Sequence, residues 1–276
     1  MLNDAVTSVV PHVQHLALAT ARLSVWFFLL CVVFLPLERA FAERPQRPLR
    51  RQFALDLAYY FLNGLVTAAL LAAVAGLVTT LLRPLVPHAL LAATAALPLS
   101  VRVLATLLVG ELGFYWGHRW SHEIPLLWRF HAVHHSAEQV DWLTNTRAHP
   151  IDMIFTRLCG VVLIVLTGLA QPATRTGTAS VALLVVFTTL YGFFIHANLR
   201  WRFGWLEAVI ATPAFHRWHH TNDANRNHNY AATLPLYDRL FGTHHLPRSG
   251  APPCFGIDLP LRHGVLRQLV DPFLLR

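Results

Sequence analysis

Lysine is missing from the 276-residue chain, and charged residues of any kind are scarce. All 22 basic side chains are arginines, against 14 acidic residues, and the formal net charge is +8. Charged residues make up 13% of the sequence and hydrophobic residues 55%, whereas soluble domains carry about 25% charged residues. This balance excludes an ordinary soluble domain and indicates an integral membrane protein. The sequence also shows no basic patch on a soluble fold, which nucleic-acid binding requires. No nucleic-acid partner is therefore expected.

Cysteine is equally scarce, with Cys31, Cys159 and Cys254 as the three examples. No CxxC pair occurs, which excludes a zinc ribbon, a cysteine-ligated iron–sulfur cluster and a disulfide framework. Two of the cysteines lie in apolar runs and are most simply small buried side chains.

Long apolar runs dominate the first two thirds of the chain. A membrane-spanning helix needs about 20 apolar residues. Segments of suitable composition cover residues 16–37, 54–82, 99–117, 151–171 and 177–196. The sequence therefore predicts an all-α integral membrane protein, a bundle of about four to five transmembrane helices capped by a cytoplasmic, histidine-rich helical domain.

The loop at residues 38–53 is short, broken by proline and rich in arginine. Its arginines are Arg39, Arg44, Arg47, Arg50 and Arg51. Because basic loops stay on the cytoplasmic side, this loop is predicted to be cytoplasmic. Counting spans from there places the C-terminus and every histidine cluster on the cytoplasmic side as well.

Histidine is concentrated in two stretches. Residues 118–135 read HRWSHEIPLLWRFHAVHH, and HRWHH follows at residues 216–220. The clustered histidines are His118, His122, His131, His134, His135, His216, His219 and His220. Positions i, i+3 and i+4 share one face of a helix, so each stretch presents its imidazoles together. Packing so many imidazoles without metal would leave buried polar nitrogens unpaired, which is costly.

Several metals accept imidazole, including zinc, copper, iron and nickel. A structural zinc takes four ligands, so eight or nine histidines are too many for one site and fit two metals. The HExxH motif of zinc proteases is missing, because this chain reads HRWSHE. A dinuclear iron site that activates O2 beside lipid-embedded helices fits best. The alternative is a non-enzymatic, metal-binding or metal-handling membrane protein.

Further motifs occur between and after the histidine clusters. LWRFHAVHHS at 127–136, RAHP at 147–150 and NYAATLPLYDRLFGT at 229–243 resemble motifs of the fatty acid hydroxylase/sterol desaturase superfamily. The resemblance covers about residues 100–245. It implies a non-haem di-iron centre, O2 as co-substrate, and hydroxylation or desaturation of a membrane lipid (fatty acyl, sterol or related).

The resemblance also assigns residues. It makes the eight clustered histidines metal ligands and adds His196, in HANL, as a further ligand. His149, in RAHP, matches a family histidine that is either a ligand or a supporting residue. Ligand imidazoles usually donate their other N–H to an acceptor. The candidate hydrogen-bonding partners are Glu111, Asp141, Asn145, Asn198 and Asp223.

Three regions are predicted on this basis. Residues 1–98 contain N-terminal membrane helices and the basic loop, residues 99–245 form the di-iron catalytic domain, and residues 246–276 form a C-terminal cytoplasmic tail. Neither terminus offers room for a cytochrome-b5-like domain. Electrons are therefore expected from a separate donor, either a ferredoxin or a cytochrome b5-like protein, with its reductase.

Overall fold

A computed structural model describes residues 2–171, 174–248, 250–259, 261–262 and 264–275, with side chains from residue 11 onwards. The helices are α1 (Leu2–Phe41), α2 (Phe53–Leu62), α3 (Ala68–Leu82), α4 (His88–Ala95), α5 (Leu99–Glu123), α6 (Pro125–His135), α7 (Pro150–Leu166), α8 (Arg175–His196), α9 (Pro213–His219), α10 (Leu236–Leu240) and α11 (Val265–Leu274). A π-helical turn, Asn63–Thr67, joins α2 to α3. Short 3-10 helices cover Arg83–Leu85, Trp142–Thr146 and Gly204–Ala208.

Four helical stretches are long and apolar enough to cross a membrane. They are Pro11–Phe41, Phe53–Leu85, Leu99–Glu123 and Arg175–His196. The prediction of an all-helical, multi-pass membrane protein is thereby confirmed. The remaining predicted span, 151–171, corresponds to α7, which has 17 residues. At about 1.5 Å per residue α7 is roughly 25 Å long, shorter than the other four.

The helix ends that carry histidines lie together at one end of the bundle. The Glu38 carboxylate accepts the backbone N–H groups of Trp142 and Asn198 at 2.9 and 2.8 Å. It thereby joins the end of α1 to the segments that follow α6 and α8. At the opposite end, Arg102 donates to the Thr94 and Leu169 carbonyls, each at 2.9 Å. The histidine-bearing helix ends therefore share one end of the bundle.

Helices α5 and α7 touch through their backbones at glycines. A Cβ atom on Gly113 would lie 2.4 Å from the Cys159 carbonyl oxygen, and one on Gly160 would lie 2.8 Å from the Gly110 carbonyl oxygen. Small residues permit such close approach between membrane helices. Because α5 carries His118 and His122, this contact fixes them relative to α7.

The short C-terminal helix α11 is turned with its apolar side outward. Leu266 is 80% exposed and Phe273 is 61% exposed, whereas Gln268 and Asp271 are buried. A helix on a water-soluble protein buries its apolar face. The Phe273 ring packs on Phe130 of α6 with centroids 5.1 Å apart, so α11 lies beside a histidine-bearing helix.

Candidate metal centre

Nine buried histidines come together in two groups at the histidine-bearing end of the bundle. The five-histidine group contains His118, His122, His131, His135 and His219, and the four-histidine group contains His134, His196, His216 and His220. Within each group, one ring nitrogen from every histidine lies within 4.8 Å of the others. All nine side chains were predicted as ligands, and the structure brings all nine together.

Helices α6 and α9 each contribute to both groups. In α6, His131 and His135 are four residues apart and share a face, whereas His134 is turned toward the other group. In α9, His216 belongs to the four-histidine group and His219 to the five-histidine group. Successive helical residues differ by about 100° in direction. Adjacent histidines on one helix therefore reach two neighbouring metal positions.

The spacing of the imidazole nitrogens matches that of ligands around a metal. In the five-histidine group, the Nε2–Nε2 distances are 3.1 Å for His118–His131, His131–His135 and His135–His219. In the four-histidine group, they are 3.3 Å for His134–His196, 2.9 Å for His196–His216 and 3.2 Å for His216–His220. Ligand nitrogens about 2.0–2.1 Å from a metal lie roughly 2.8–3.4 Å apart at octahedral to tetrahedral angles.

The partners of the opposite ring nitrogens indicate that the Nε2 atoms are the ones that face a metal. His118 Nδ1 lies 2.6 Å from the Tyr230 carbonyl oxygen, and His131 Nδ1 lies 3.0 Å from the Asp152 carboxylate. Both partners are acceptors, so each Nδ1 donates to its partner and each Nε2 is left to face the other ring. The two Nε2 atoms lie 3.1 Å apart. A metal ion bound by both would account for this approach.

The four-histidine group repeats this arrangement. His134 Nδ1 donates to the Arg147 carbonyl at 2.8 Å, and His196 Nδ1 donates to the Gly192 carbonyl at 2.7 Å. Their Nε2 atoms lie 3.3 Å apart. In each group, two rings that donate through Nδ1 bring their Nε2 atoms together, and the donor set fits one metal ion per group.

Burial favours the neutral form of His135, His219 and His220. Desolvation, reinforced by neighbouring imidazoles, lowers the pKa of His135, His219 and His220 well below the usual range. Imidazole binds metal only in its neutral form. The same burial that would penalise unpaired nitrogens therefore keeps these side chains ready to act as ligands.

The fatty acid hydroxylase family matches residues 103–243, about half of the chain, and this region contains all nine histidines. The chain belongs to the fatty acid hydroxylase family. The predicted superfamily membership is thereby confirmed.

Curated relatives share the histidine-rich half of this family member. An ornithine lipid hydroxylase of Rhizobium tropici is 36% identical over 178 residues, which cover 64% of this chain and 51% of the relative. An alkylglycerol monooxygenase of Xenopus tropicalis is 36% identical over 140 residues, 50% of this chain and 29% of the relative. A methylsterol monooxygenase of Arabidopsis thaliana is 29% identical over 148 residues, 52% of each. The chain thus spans about half the length of the first relative. No solved structure matches it significantly.

The groups that orient the rings of this hydroxylase-family site are mostly backbone carbonyls. Besides those of Tyr230, Arg147 and Gly192, the His228 carbonyl accepts from His219 Nδ1 at 2.9 Å. Backbone carbonyls leave no signal in a sequence. Asp152 is the one carboxylate in this role among the described residues. It does leave a signal in the sequence, because it is an acid at the start of an apolar segment.

The polar residues predicted to support the ligands have other partners. Glu111 accepts the backbone N–H groups of Thr233 and Leu234 at 2.5 and 3.2 Å, and so fastens the segment after α9 to α5. Asp223 accepts the N–H of Asn225 at 2.7 Å within its own turn. These carboxylates shape the backbone around the site and do not receive a ligand ring N–H.

The other three predicted partners lie nearer to the histidines. The Asp141 carboxylate binds Arg50 at 2.6 Å and caps the 3-10 helix Trp142–Thr146. Asn198 exchanges hydrogen bonds with the backbone of Arg44. Asn145 lies against α8, where a Cβ atom on Gly192 would be 2.7 Å from its Oδ1 atom. They hold the segments that carry Arg147 and His196.

His149, predicted as a ligand or a supporting residue, lies outside both groups. Its Nδ1 accepts the N–H of Ile151 at 3.1 Å and caps α7, while its Nε2 donates to the Leu269 carbonyl at 3.2 Å. Both ring nitrogens are therefore engaged with the backbone, and the side chain links α7 to α11.

Asp152→Asn is expected to weaken metal binding by about 10–100-fold, the usual cost of losing a partner behind a ligand histidine. The carboxylate holds the proton on His131 Nδ1, and a neutral amide holds it less strongly. Chelator competition on the purified protein measures the affinity. Asp223→Asn is the matched control, since that acid contacts its own turn. Equal losses in the two variants would contradict the role of Asp152.

Proposed function

We propose that this chain is a membrane-bound, non-haem di-iron oxygenase that hydroxylates, or desaturates, a C–H bond of a lipid such as a fatty acyl chain or a sterol. The observation that carries the proposal is the pairing of Nε2 atoms in each histidine group, from rings whose Nδ1 atoms donate elsewhere. The Nε2 atoms are 3.1 Å apart for His118–His131 and 3.3 Å apart for His134–His196. Each group supplies enough nitrogens for one ion.

Iron is the metal that best accounts for this ligand set. Imidazole binds iron well, and two groups of five and four histidines provide two adjacent sites. Bound iron would supply the activation of O2. The chain's own part is to hold the ions at fixed spacing and to exclude water. The Trp128 ring covers His122 and His135 with centroid distances of 5.2 and 5.5 Å.

A membrane lipid is the proposed substrate because of where the histidines lie. They stand at the ends of apolar helices α5 and α8, within reach of a chain held in the membrane. The relatives named above are lipid hydroxylases or monooxygenases. Regioselectivity would follow from how the chain is held, since misplacement of a reacting carbon by about 1 Å can cost roughly 100-fold in rate.

Metal content and product mass together test the proposal. The purified protein is expected to hold two irons per chain, and lipid extracts from expressing cells should gain a species heavier by one oxygen atom or lighter by two hydrogen atoms. A protein with one zinc and no O2-dependent turnover would instead support the non-enzymatic, metal-handling alternative.

The histidine-bearing end is proposed to face the cytoplasm. The basic loop around Arg44 and Arg47 lies at this end and would remain on the cytoplasmic side. Cys254, which is exposed, offers a direct test. A membrane-impermeant maleimide should label it in permeabilised cells but not in intact ones. Labelling in intact cells would show that the histidine-bearing end faces the opposite side of the membrane.

Electrons are proposed to come from a separate ferredoxin or cytochrome b5-like donor with its reductase. Exposed arginines at or near the histidine-bearing end, including Arg200 and Arg226, would attract an acidic partner. The rate of electron transfer should then fall as ionic strength rises, because salt screens exposed charges over about 10 Å. A rate independent of salt would contradict charge-guided docking.

A further inference from the structure

A cavity of about 550 Å³ opens between the basic loop and the segment after α6. Its walls are Pro45, Gln46, Arg47, Leu49, Arg50, Arg51, Gln52, Glu138 and Gln139. The Gln46 side chain donates to the Val140 carbonyl at 3.3 Å and so ties the two walls together. Three of its four charged lining residues are arginines, so positive charge predominates in a lining that also includes apolar side chains.

Three arginines line this cavity, and two of them carry positive charge that is unpaired among the described residues. Arg47 and Arg51 are exposed. Arg50 is 5% exposed and is held by Asp56 and Asp141, yet its Nη1 atom has no hydrogen-bond partner. A buried guanidinium nitrogen without an acceptor is costly. Among the lining residues, Glu138 carries the opposite charge. An anion is the ligand that this balance favours, and arginine suits phosphate or carboxylate.

The position of the cavity indicates where that anion comes from. Its lining residues 45–52 directly precede the membrane-spanning stretch Phe53–Leu85, so the cavity stands where a span ends and lipid headgroups begin. Leu49, on its wall, is 74% exposed and offers an apolar side chain. A charged group with an apolar chain attached matches both features.

The cavity wall is connected to the metal centre by a single arginine. The Arg147 Nη1 donates to Gln52 Oε1 at 2.8 Å, and the Arg147 carbonyl accepts from His134 Nδ1 at 2.8 Å. Arg147 is fully buried and also binds Asp56, the acid that holds Arg50. The lining residue Gln52 is therefore linked through one residue, Arg147, to a ligand of the four-histidine group.

From these observations we infer that the cavity binds the anionic headgroup, phosphate or carboxylate, of a membrane lipid. The inference rests on the proposed function in one respect, since it makes an anionic lipid the class of substrate that is held beside the metal centre. The headgroup anion contacts the arginines, while its acyl chain runs past Leu49 into the membrane. Inorganic phosphate shares the anion but lacks the chain.

Binding of dioctanoyl phosphatidic acid tests this inference on the full-length protein in detergent by native mass spectrometry. The double variant Arg47→Ala/Arg51→Ala is expected to bind it at least tenfold more weakly. These side chains are exposed, so the substitution leaves the buried Arg50 network intact. Glu138→Gln removes the opposing charge and should strengthen binding. Arg39→Ala removes an exposed arginine from the end of α1 and is the matched control, with unchanged affinity expected.

Three results would overturn the inference. Binding of dioctanoylglycerol as tight as that of the phosphatidic acid would remove the anion from the assignment. Equally tight binding of inorganic phosphate alone would remove the lipid. The third is a double variant that binds lipid normally but receives electrons slowly from its donor, which would assign the arginines to donor docking. Lipid binding is measured without turnover, so its failure is separate from loss of the two irons.

Discussion

His134→Ala is expected to leave about one iron per chain instead of two and to abolish lipid oxidation. His134 supplies one of four nitrogens to the four-histidine group, and its loss leaves His196, His216 and His220. The five-histidine group keeps all its ligands. Loss of a group behind a ligand already costs about 10–100-fold, so loss of the ligand should cost more. Metal analysis by mass spectrometry gives the stoichiometry, and product analysis gives the rate.

His244→Ala provides the control for this variant. His244 is outside both groups, with its ring packed near Phe215 at a centroid distance of 5.7 Å. It should retain two irons and near-normal turnover. Both alanine variants should insert into the membrane at similar levels. Turnover and full iron content in His134→Ala would rule out a metal at the four-histidine group.

Gly113→Leu is expected to destabilise the protein by about 3 kcal/mol or more, at the upper end of the usual cost of overpacking. A Cβ atom at this position would lie 2.4 Å from the Cys159 carbonyl oxygen, and backbone cannot move aside as a side chain can. That loss corresponds to a fall of roughly 6–12 °C in Tm for a chain of this size. Fluorescence-detected size-exclusion chromatography after heating measures it.

The matched control is Gly76→Leu, in membrane-spanning α3. A Cβ atom there meets nothing within 4 Å, so the added side chain extends outward and Tm should hold or rise, because leucine favours helix over glycine. Equal loss of Tm in both variants would show that the α5–α7 contact is not the cause. Iron content in a surviving fraction of Gly113→Leu should also fall, because α5 carries His118 and His122.

The ligands were predictable because helical spacing is visible in the sequence. Their division between the five-histidine group and the four-histidine group was not predictable. The HxxHH pattern places His131, His134 and His135 on one broad face, and the structure then splits His134 from its neighbours. That split depends on how α6 faces α8 and α9 in space. His196 is far along the chain from the other ligands of its group, and family resemblance was the signal that identified it.

The surroundings of the ligands were harder to predict. Among the described residues, four of the five groups that accept an N–H from a ligand histidine ring are backbone carbonyls, which every residue carries. Polar residues such as Glu111 and Asp141 were reasonable candidates by type, but their carboxylates serve backbone N–H groups and Arg50. Four of the five predicted spans start within two residues of a helix start, whereas α1 begins at Leu2, well before the predicted residue 16. The length of α7 and the outward face of α11 were not predicted from the sequence.

The outward apolar face of α11 has a consequence for preparing the protein. A fragment that begins at residue 99, lacking the first two membrane spans, would still expose Leu266 and Phe273, and would keep the apolar helices α5 and α8. Deleting α11 instead would remove Leu269, the acceptor for His149 at the start of α7. Truncation at either end is therefore not expected to give a water-soluble catalytic fragment. Detergent or nanodisc lipid has to cover the C-terminal helix as well as the spans.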